Sequence, residues 1–451
     1  MKHLLLSFIL YSFVSCSPSK EELRTYFGGK IINPKSNVVL LCNQFGVLDS
    51  IPLHEDATFS ATYDSLPKGL YYFKHGPEHQ YVYLEPNDSV LVRLNTWVFD
   101  ESLVFSGAHA EKNNLLKTTF LQSEKEDRDF YKYQTLSPTA FTEKIAILVQ
   151  QKETEITAYT ERNPTVDAQF LQVLKIAKMY PIYSKVERYG MRFQKQHDSI
   201  LPASFYKHRQ NSSLQLDAVL FYNPYNHYII NRFYNETFQK GVQKGTPAFS
   251  LALLETIFNS TASENIKNTY LKQVLLNHFY TQVTSVKSAV VFQAFLKYSS
   301  NPADKSTIQK LLHDVTMLEG NKYLPEFSVT NYNGSTISSK ALLQGENTVL
   351  FFRNNTQSSK NWISSRIQHL QKKFPKLRFL VIEMNENTEE SLPEIDIKKL
   401  FYLPATSSAH AFLTSKMQRT VLLQSNGKVF HGFAAISSKK IEEQLHMLQK
   451  K

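Results

Sequence analysis

The chain holds two thiols, Cys16 and Cys42. Two sulfurs exclude a disulfide framework and a zinc site of four thiolates. Cys42 lies in the apolar run Val38-Val39-Leu40-Leu41-Cys42, which predicts a small buried side chain on a strand. Cys16 follows Ser15 at the end of the apolar run Leu4–Val14. His75 and His79 stand four apart, but Gly76-Pro77 between them makes a loop, not a helix face. No third ligand can be placed beside them, so no metal site is expected. His-Glu-x-x-His, Gly-x-Ser-x-Gly and phosphate-loop patterns are absent, and no cofactor is expected. Aromatic residues crowd Phe221-Tyr222-Asn223-Pro224-Tyr225, with Tyr228, Phe233 and Tyr234 following. They could stack a glycan or a nucleotide, but helical spacing favours packing between helices.

The positions of these residues depend on what surrounds them. Lys2 and His3 precede an apolar stretch of eleven residues, Leu4–Val14. That is too short to span a bilayer, which needs about 20, and suits a secretory signal. Phe13-Val14-Ser15-Cys16 resembles a bacterial lipobox, whose pattern is Leu, two small residues and Cys; Phe13 and Val14 depart from it. The resemblance implies a lipoprotein signal peptide over 1–16, ending at an acylated Cys16. Several acyl chains, at about 0.8 kcal/mol per buried CH2, would hold the chain stably on a membrane. The alternative is an ordinary signal peptide cleaved near Ser15–Ser17. The implied location is the bacterial cell envelope, on the outer membrane. Lys20-Glu21-Glu22 resembles the export tags of surface lipoproteins, which leaves the periplasmic and outward faces both open.

Composition agrees with a folded chain. Hydrophobic residues make up 42% and charged residues 20% of 451, enough for several cores. The formal net charge is +11, but the two signs are interleaved without a run of five like charges. A secreted chain of this kind has no nucleic-acid partner, and Lys360, Arg366, Lys372, Lys373, Lys376 and Arg378 read as a solvated basic face.

Three regions follow. Residues 24–109 carry short strands at Tyr26–Ile32, Asn37–Asn43, Thr58–Tyr63, Gly69–Lys74, Tyr81–Leu84, Ser89–Leu94 and Leu103–Ser106, separated by Pro, Gly and Asn turns. They predict a β-sandwich-like domain. Residues 110–318 change to helical periodicity and predict an all-helical domain of seven or eight helices, one of them ending near Pro181. Residues 320–451 alternate strand and helix. Thr348–Phe352 and Arg378–Glu383 are buried strands around the helix Trp362–Phe374, and Asn426-Gly427 turns a hairpin between Arg419–Gln424 and Gly427–Phe433. Ser437–Gln449 is a terminal helix. The fold class expected is therefore α+β multidomain.

FGGKI at Phe27–Ile31, LPKGLYYF at Leu66–Phe73, YLEPNDSVLVRL at Tyr83–Leu94 and FSGAHAEKNNLL at Phe105–Leu116 resemble the β-domain that precedes thioredoxin-like domains in Gram-negative envelope lipoproteins. The β-α-β, β-β-α order after residue 320, with Leu324–Val329, Asn331–Ser339, Thr348–Phe352 and Val421–Lys428, resembles the envelope thiol–disulfide oxidoreductases of the TlpA type. The resemblance implies a thioredoxin-like α/β domain over 320–451.

The resemblance also shows a loss. That family places Cys-x-x-Cys after the first central strand, where the helix N-terminus lowers a thiol pKa. Aligned from Phe351-Phe352, the motif here reads Thr356-Gln357-Ser358-Ser359, and hydroxyls cannot exchange disulfides. The family's cis-proline position reads Gln418-Arg419-Thr420, so a trans loop is expected. The expected function is a redox-inactive, non-enzymatic binding or scaffold lipoprotein. The alternatives are a thiol–disulfide oxidoreductase serving cell redox homeostasis and an accessory lipoprotein of nutrient uptake. Thr356–Ser359 fit either a retained groove at a helix N-terminus or plain helix capping. If the groove is retained, Thr356, Gln357, Ser358, Ser359, Lys360, Arg419 and Thr420 line it and a protein or peptide partner occupies it. Arg419 would then bind an acidic peptide or carboxylate from the surface, and Arg419→Ala would leave thermal stability unchanged.

Overall fold

The computed structural model describes residues 24–282, 289–384, 392 and 395–451. Cys16 and the expected signal peptide lie outside the described residues. No described helix is long and apolar enough to cross a membrane. The chain divides into two compact units, one of residues up to 189 with 218–228, the other of 190–217 with 229–451.

The first unit opens with β1 (Thr25–Ile32), β2 (Val38–Asn43), β3 (Gly46–Pro52), β4 (Thr58–Tyr63), β5 (Gly69–His75), β6 (Glu78–Leu84) and β7 (Ser89–Asn95). A short helix, α1 (Phe99–Ser102), precedes β8 (Val104–Ala108). The strands form two four-stranded sheets, ordered β4-β1-β7-β8 and β3-β2-β5-β6. Their inward faces bury Phe27, Ile31, Leu41, Phe59, Phe73, Val82, Val92 and Phe105 in one core, as alternation along half-buried strands requires. The expected sandwich is therefore present. Asn87 takes φ +69 in the turn before β7, a left-handed conformation that Asn tolerates. β3 is an eighth strand that patterning misses, because its burial is slight and irregular.

Three long helices follow: α2 (Ala110–Tyr133), α3 (Pro138–Arg162) and α4 (Ala168–His197). Ser137 caps α3 through Ala140 N–H, with proline at its first position. α4 does not end near Pro181 but runs through it. Proline removes one helical hydrogen bond, at about 3 kcal/mol. Burial of Tyr180, Ile182, Tyr183 and Val186 around it offsets that cost.

The helices α5 (Asn223–Phe238), α6 (Pro247–Phe258), α7 (Glu264–Gln282), α8 (Ala289–Tyr298) and α9 (Pro302–Met317) come next. The 110–318 stretch is thus helical as expected, but it is shared between the two units rather than forming one compact body. The reason is burial: α2 packs on the sandwich, and α9 on the C-terminal sheet.

That sheet is built from β9 (Ser328–Asn331), β10 (Thr336–Ser338), β11 (Thr348–Arg353), β12 (Arg378–Glu383), β13 (Leu400–Tyr402), β14 (Arg419–Leu423) and β15 (Val429–Ala434). The helices α10 (Ser339–Leu343), α11 (Lys360–Lys373) and α12 (Lys440–Gln449) complete it. Strand order is β10-β9-β13-β12-β11-β14-β15. β11 lies parallel to β12 and antiparallel to β14, and all six of its residues are buried. This is a thioredoxin-like α/β domain. Gly432 on β15 sits so close to the preceding segment that a Cβ there would meet Leu318 O at 2.0 Å.

Candidate functional site

The chain leaves β11 at Arg353, whose guanidinium donates to Glu383 Oε1 at 2.7 Å and to Ser358 O at 3.0 Å. Burial pushes the Glu383 carboxyl up, and Arg353 opposes that rise. Asn354 then organises the turn. Its Oδ1 accepts from Thr356 N–H and Oγ1 at 3.1 and 2.7 Å, and its amide donates to Lys416 O at 2.9 Å. Ser359 is the N-cap of α11, but its hydroxyl makes no capping bond. Capping by this serine therefore does not explain the hydroxyl run. Thr356, Gln357 and Ser359 are exposed, and Ser358 is half-buried.

Gln357 joins the two loops. Its Oε1 accepts from Gln418 N–H at 3.0 Å, and its Nε2 donates to Lys416 O at 3.3 Å. From α7, Tyr280 donates its hydroxyl proton to Gln418 O at 3.0 Å, and burial pushes this phenol up. Both main-chain polar groups of Gln418 are thus satisfied by side chains. No cis peptide bond occurs among the described residues, in keeping with the trans loop expected here.

Arg419 departs from expectation. It offers no surface cation; its side chain has no exposure, and Asp314 of α9 lies 2.8 Å away with none either. Phe412 O, Met417 O and Ser415 Oγ accept its other protons at 3.1, 3.0 and 2.7 Å. The Phe433 ring lies under the guanidinium at 4.3 Å. Burial lowers the Arg419 pKa, and the adjacent Asp314 carboxylate opposes the shift. Thr420 is buried in the sheet between Phe351 and Ala434. The physical reason is strand alternation next to a helix that supplies a carboxylate: Arg419 continues an apolar strand, and Asp314 lies too far off in sequence to be foreseen. Of the expected site residues, the structure brings Gln357 to the loop before β14, while Arg419 and Thr420 belong to the interior.

A cleft of about 440 Å³ opens beside this junction, lined in part by Gln357, Gln418, Tyr280, Asn277 and Phe351, with Arg419 in its wall but its side chain closed off from solvent. The loops 435–438 complete its wall. Its lining mixes amide and hydroxyl side chains with apolar ones such as Phe351, Met417 and Ile436. Asn277 and Tyr280 come from a helix that no pattern in the C-terminal region announces.

The histidines are accounted for within the sandwich. His75 is buried; its Nε2 accepts from Lys35 N–H at 2.9 Å, which assigns the proton to Nδ1, 3.1 Å from Val38 O. Burial lowers its pKa. Among the described residues, Glu85, Asp88 and His109 bring ligand-type atoms within 4.8 Å of one another. Lys112 already pairs with Glu85, and His109 hydrogen-bonds Asp88, so each carboxylate has a partner within the protein. The aromatic run serves packing: Tyr81 meets Tyr222 at 4.6 Å between ring centres, and Tyr180 meets Tyr228 at 5.1 Å.

No protein-family model matches the chain, and no curated protein matches it. Among solved structures, it is similar to a thioredoxin-like protein from Bacteroides caccae at 14% identity, covering 59% of this chain and 93% of that one with a TM-score of 0.28. It is also similar to a protein described as thiol:disulfide interchange protein DsbE from Chlorobium tepidum, at 15% identity, 29% and 97% coverage and a TM-score of 0.25. A described thiol-disulfide oxidoreductase from Bacteroides vulgatus matches at 19% identity, 29% and 91% coverage and a TM-score of 0.24.

Proposed function

We propose that this chain is a redox-silent binding lipoprotein of a bacterial envelope, held on the outer membrane through acylated Cys16, and that the cleft beside Gln357 and Gln418 is its binding site. The observation that carries the reading is the substitution of chemistry by hydrogen bonds at the loop junction. Where a dithiol would react, Thr356-Gln357-Ser358-Ser359 stands, and Gln357 ties its loop to Lys416 and Gln418. A hydroxyl has no route to disulfide exchange, and Cys42 lies on a buried strand of the other unit. With the Arg419 charge buried against Asp314, the cleft offers amides and hydroxyls among apolar side chains. That lining suits an uncharged peptide segment better than an acidic one.

The test has two arms. Insulin reduction by the purified chain should not exceed the background of dithiothreitol alone; turnover above it would restore the oxidoreductase reading. A photoreactive residue at Asn277, in cells, should crosslink a protein partner that the same residue at exposed Met447 of α12 does not. Equal crosslinking from both positions removes the cleft as the site.

A further inference from the structure

The β2–β3 hairpin carries an apolar tip at one end of the sandwich. Asn43 pairs with Gly46, so Gln44 and Phe45 form a two-residue loop, braced by Phe45 N–H on Asn43 Oδ1 at 2.8 Å. Phe45 is 88% exposed, Val47 60% and Leu48 45%. Short hairpin loops favour Asn and Gly, and a phenylalanine standing in water there has no folding role.

Its position is defined by the strands. Tyr63 is the partner of Thr25 in the β4–β1 ladder, and its hydroxyl donates to Asp49 of β3 at 2.8 Å. The hairpin tip therefore lies at the end of the sandwich where β1 begins. Seven residues lie between Cys16 and Arg24, and the eight steps between the two reach at most about 29 Å when extended. α2 grips the far edge of both sheets: Asn113 bonds Tyr83 of β6, and Asn114 bonds Phe105 of β8. In the orders β3-β2-β5-β6 and β4-β1-β7-β8, that leaves the β3–β4 edge uncovered by α2.

We propose that the Phe45 tip, with Val47 and Leu48, dips into the lipid bilayer as a second contact beside the acyl anchor; the proposal rests on the anchoring reading above. A second copy of this chain is the less suited occupant. Cys42 opposes Val47 while Leu41 opposes Asp49, so Leu48 bulges out of the ladder. A bulge turns an edge strand away from further pairing, whereas it leaves apolar side chains free to enter lipid.

Trp97 supplies an internal control. β1 and β7 run parallel, with Tyr26 beside Ser89 and Ile32 beside Asn95, so Trp97, 77% exposed, lies at the opposite end, about 23 Å along the strands. The full chain is placed in vesicles of phosphatidylethanolamine and phosphatidylglycerol containing brominated lipid. One version carries Phe45→Trp with Trp97→Phe and Trp362→Phe; the other carries Trp362→Phe alone. The indole introduced by Phe45→Trp should shift to the blue and lose most of its emission, while Trp97 keeps its own. Intact mass reports acylation separately. An acylated chain whose introduced indole stays unquenched overturns the proposal alone. A chain without acyl groups overturns the anchoring reading and the proposal with it. An indole that shifts with protein concentration in the absence of vesicles, and is not quenched in them, assigns the tip to a second copy and also overturns the proposal.

Discussion

Asp314 and Arg419 form an ion pair with neither side chain exposed to solvent, 2.8 Å apart. Asp314 sits near the end of α9, and its carboxylate also accepts from Thr414 N–H and Oγ1 and from Ser415 N–H and Oγ at 2.6–3.0 Å. One carboxylate thereby fixes the loop before β14 and joins the last helix of the helical stretch to the thioredoxin-like sheet. Arg419, expected as a surface cation, is instead a joint within its own unit.

Removal of either partner leaves the other as an uncompensated buried charge. Arg419→Ala and Asp314→Ala should each destabilise the second unit by about 3–5 kcal/mol, read as a fall in the urea midpoint at unchanged slope. Replacing both, as Arg419→Met with Asp314→Leu, should cost less than either single change, because no charge is then stranded. A midpoint unmoved by Arg419→Ala would contradict the burial of this pair.

Cys42 lies on β2 with no exposure. Burial raises its pKa, while Tyr72 and Lys74 pull the other way. In a Cys16→Ser variant it is the sole thiol. Ellman's reagent at pH 8 should leave the folded chain unmodified and titrate one thiol only after urea is added. Reaction at the same rate with and without urea would show an accessible thiol and reopen the redox reading.

Asp167 gives a pH dependence to the first unit. Burial works to raise its pKa, but hydrogen bonds from Lys68, Tyr83 and Phe170 N–H outweigh it and bring the value to about 2, against an ordinary 3.8. The folded state thus favours the carboxylate. Its stabilisation is complete above the unfolded pKa and is lost as pH falls from about 4 through 2. Asp167→Asn should therefore lower the unfolding midpoint at pH 6, and the gap from the parent chain should close by pH 2. A gap of constant size across that range would remove the ionic role.

Much of this architecture is legible in the residues themselves, for definable reasons. Thr348–Arg353 is buried along its whole length, so composition alone marks it as a central strand. Ser137-Pro138 opens α3 as capping chemistry requires. β3 escapes notice because the exposed Phe45, Val47 and Leu48 break the alternation that identifies a half-buried strand. β13 is three residues long and carries little pattern. Pro181 misleads because the local penalty is outweighed by burial on all sides of α4. The site is less legible than the fold. Gln357 lies where the motif alignment places it, but its partner Gln418, the Tyr280 that holds Gln418 and the Asp314 that withdraws Arg419 are set by tertiary contacts, those of Tyr280 with Gln418 and Asp314 with Arg419 across more than a hundred residues.

The latch on Gln418 makes the last prediction. Its N–H is held by Gln357 Oε1 and its carbonyl by the Tyr280 hydroxyl, each at 3.0 Å. These are separate bonds to separate groups, so their removal should have separable effects. Gln357→Ala deletes the acceptor for the amide and should speed hydrogen exchange at Gln418 by roughly tenfold, the equivalent of one hydrogen bond of about 1–1.5 kcal/mol. Tyr280→Phe removes only the donor to the carbonyl. It should cost about 0.5–1.5 kcal/mol in global stability and leave the protection of the Gln418 amide close to that of the parent chain. Exchange measured residue by residue in both variants separates the two bonds. If Gln357→Ala leaves the Gln418 amide as protected as before, solvent or another group satisfies it, and the loop junction is not held by Gln357.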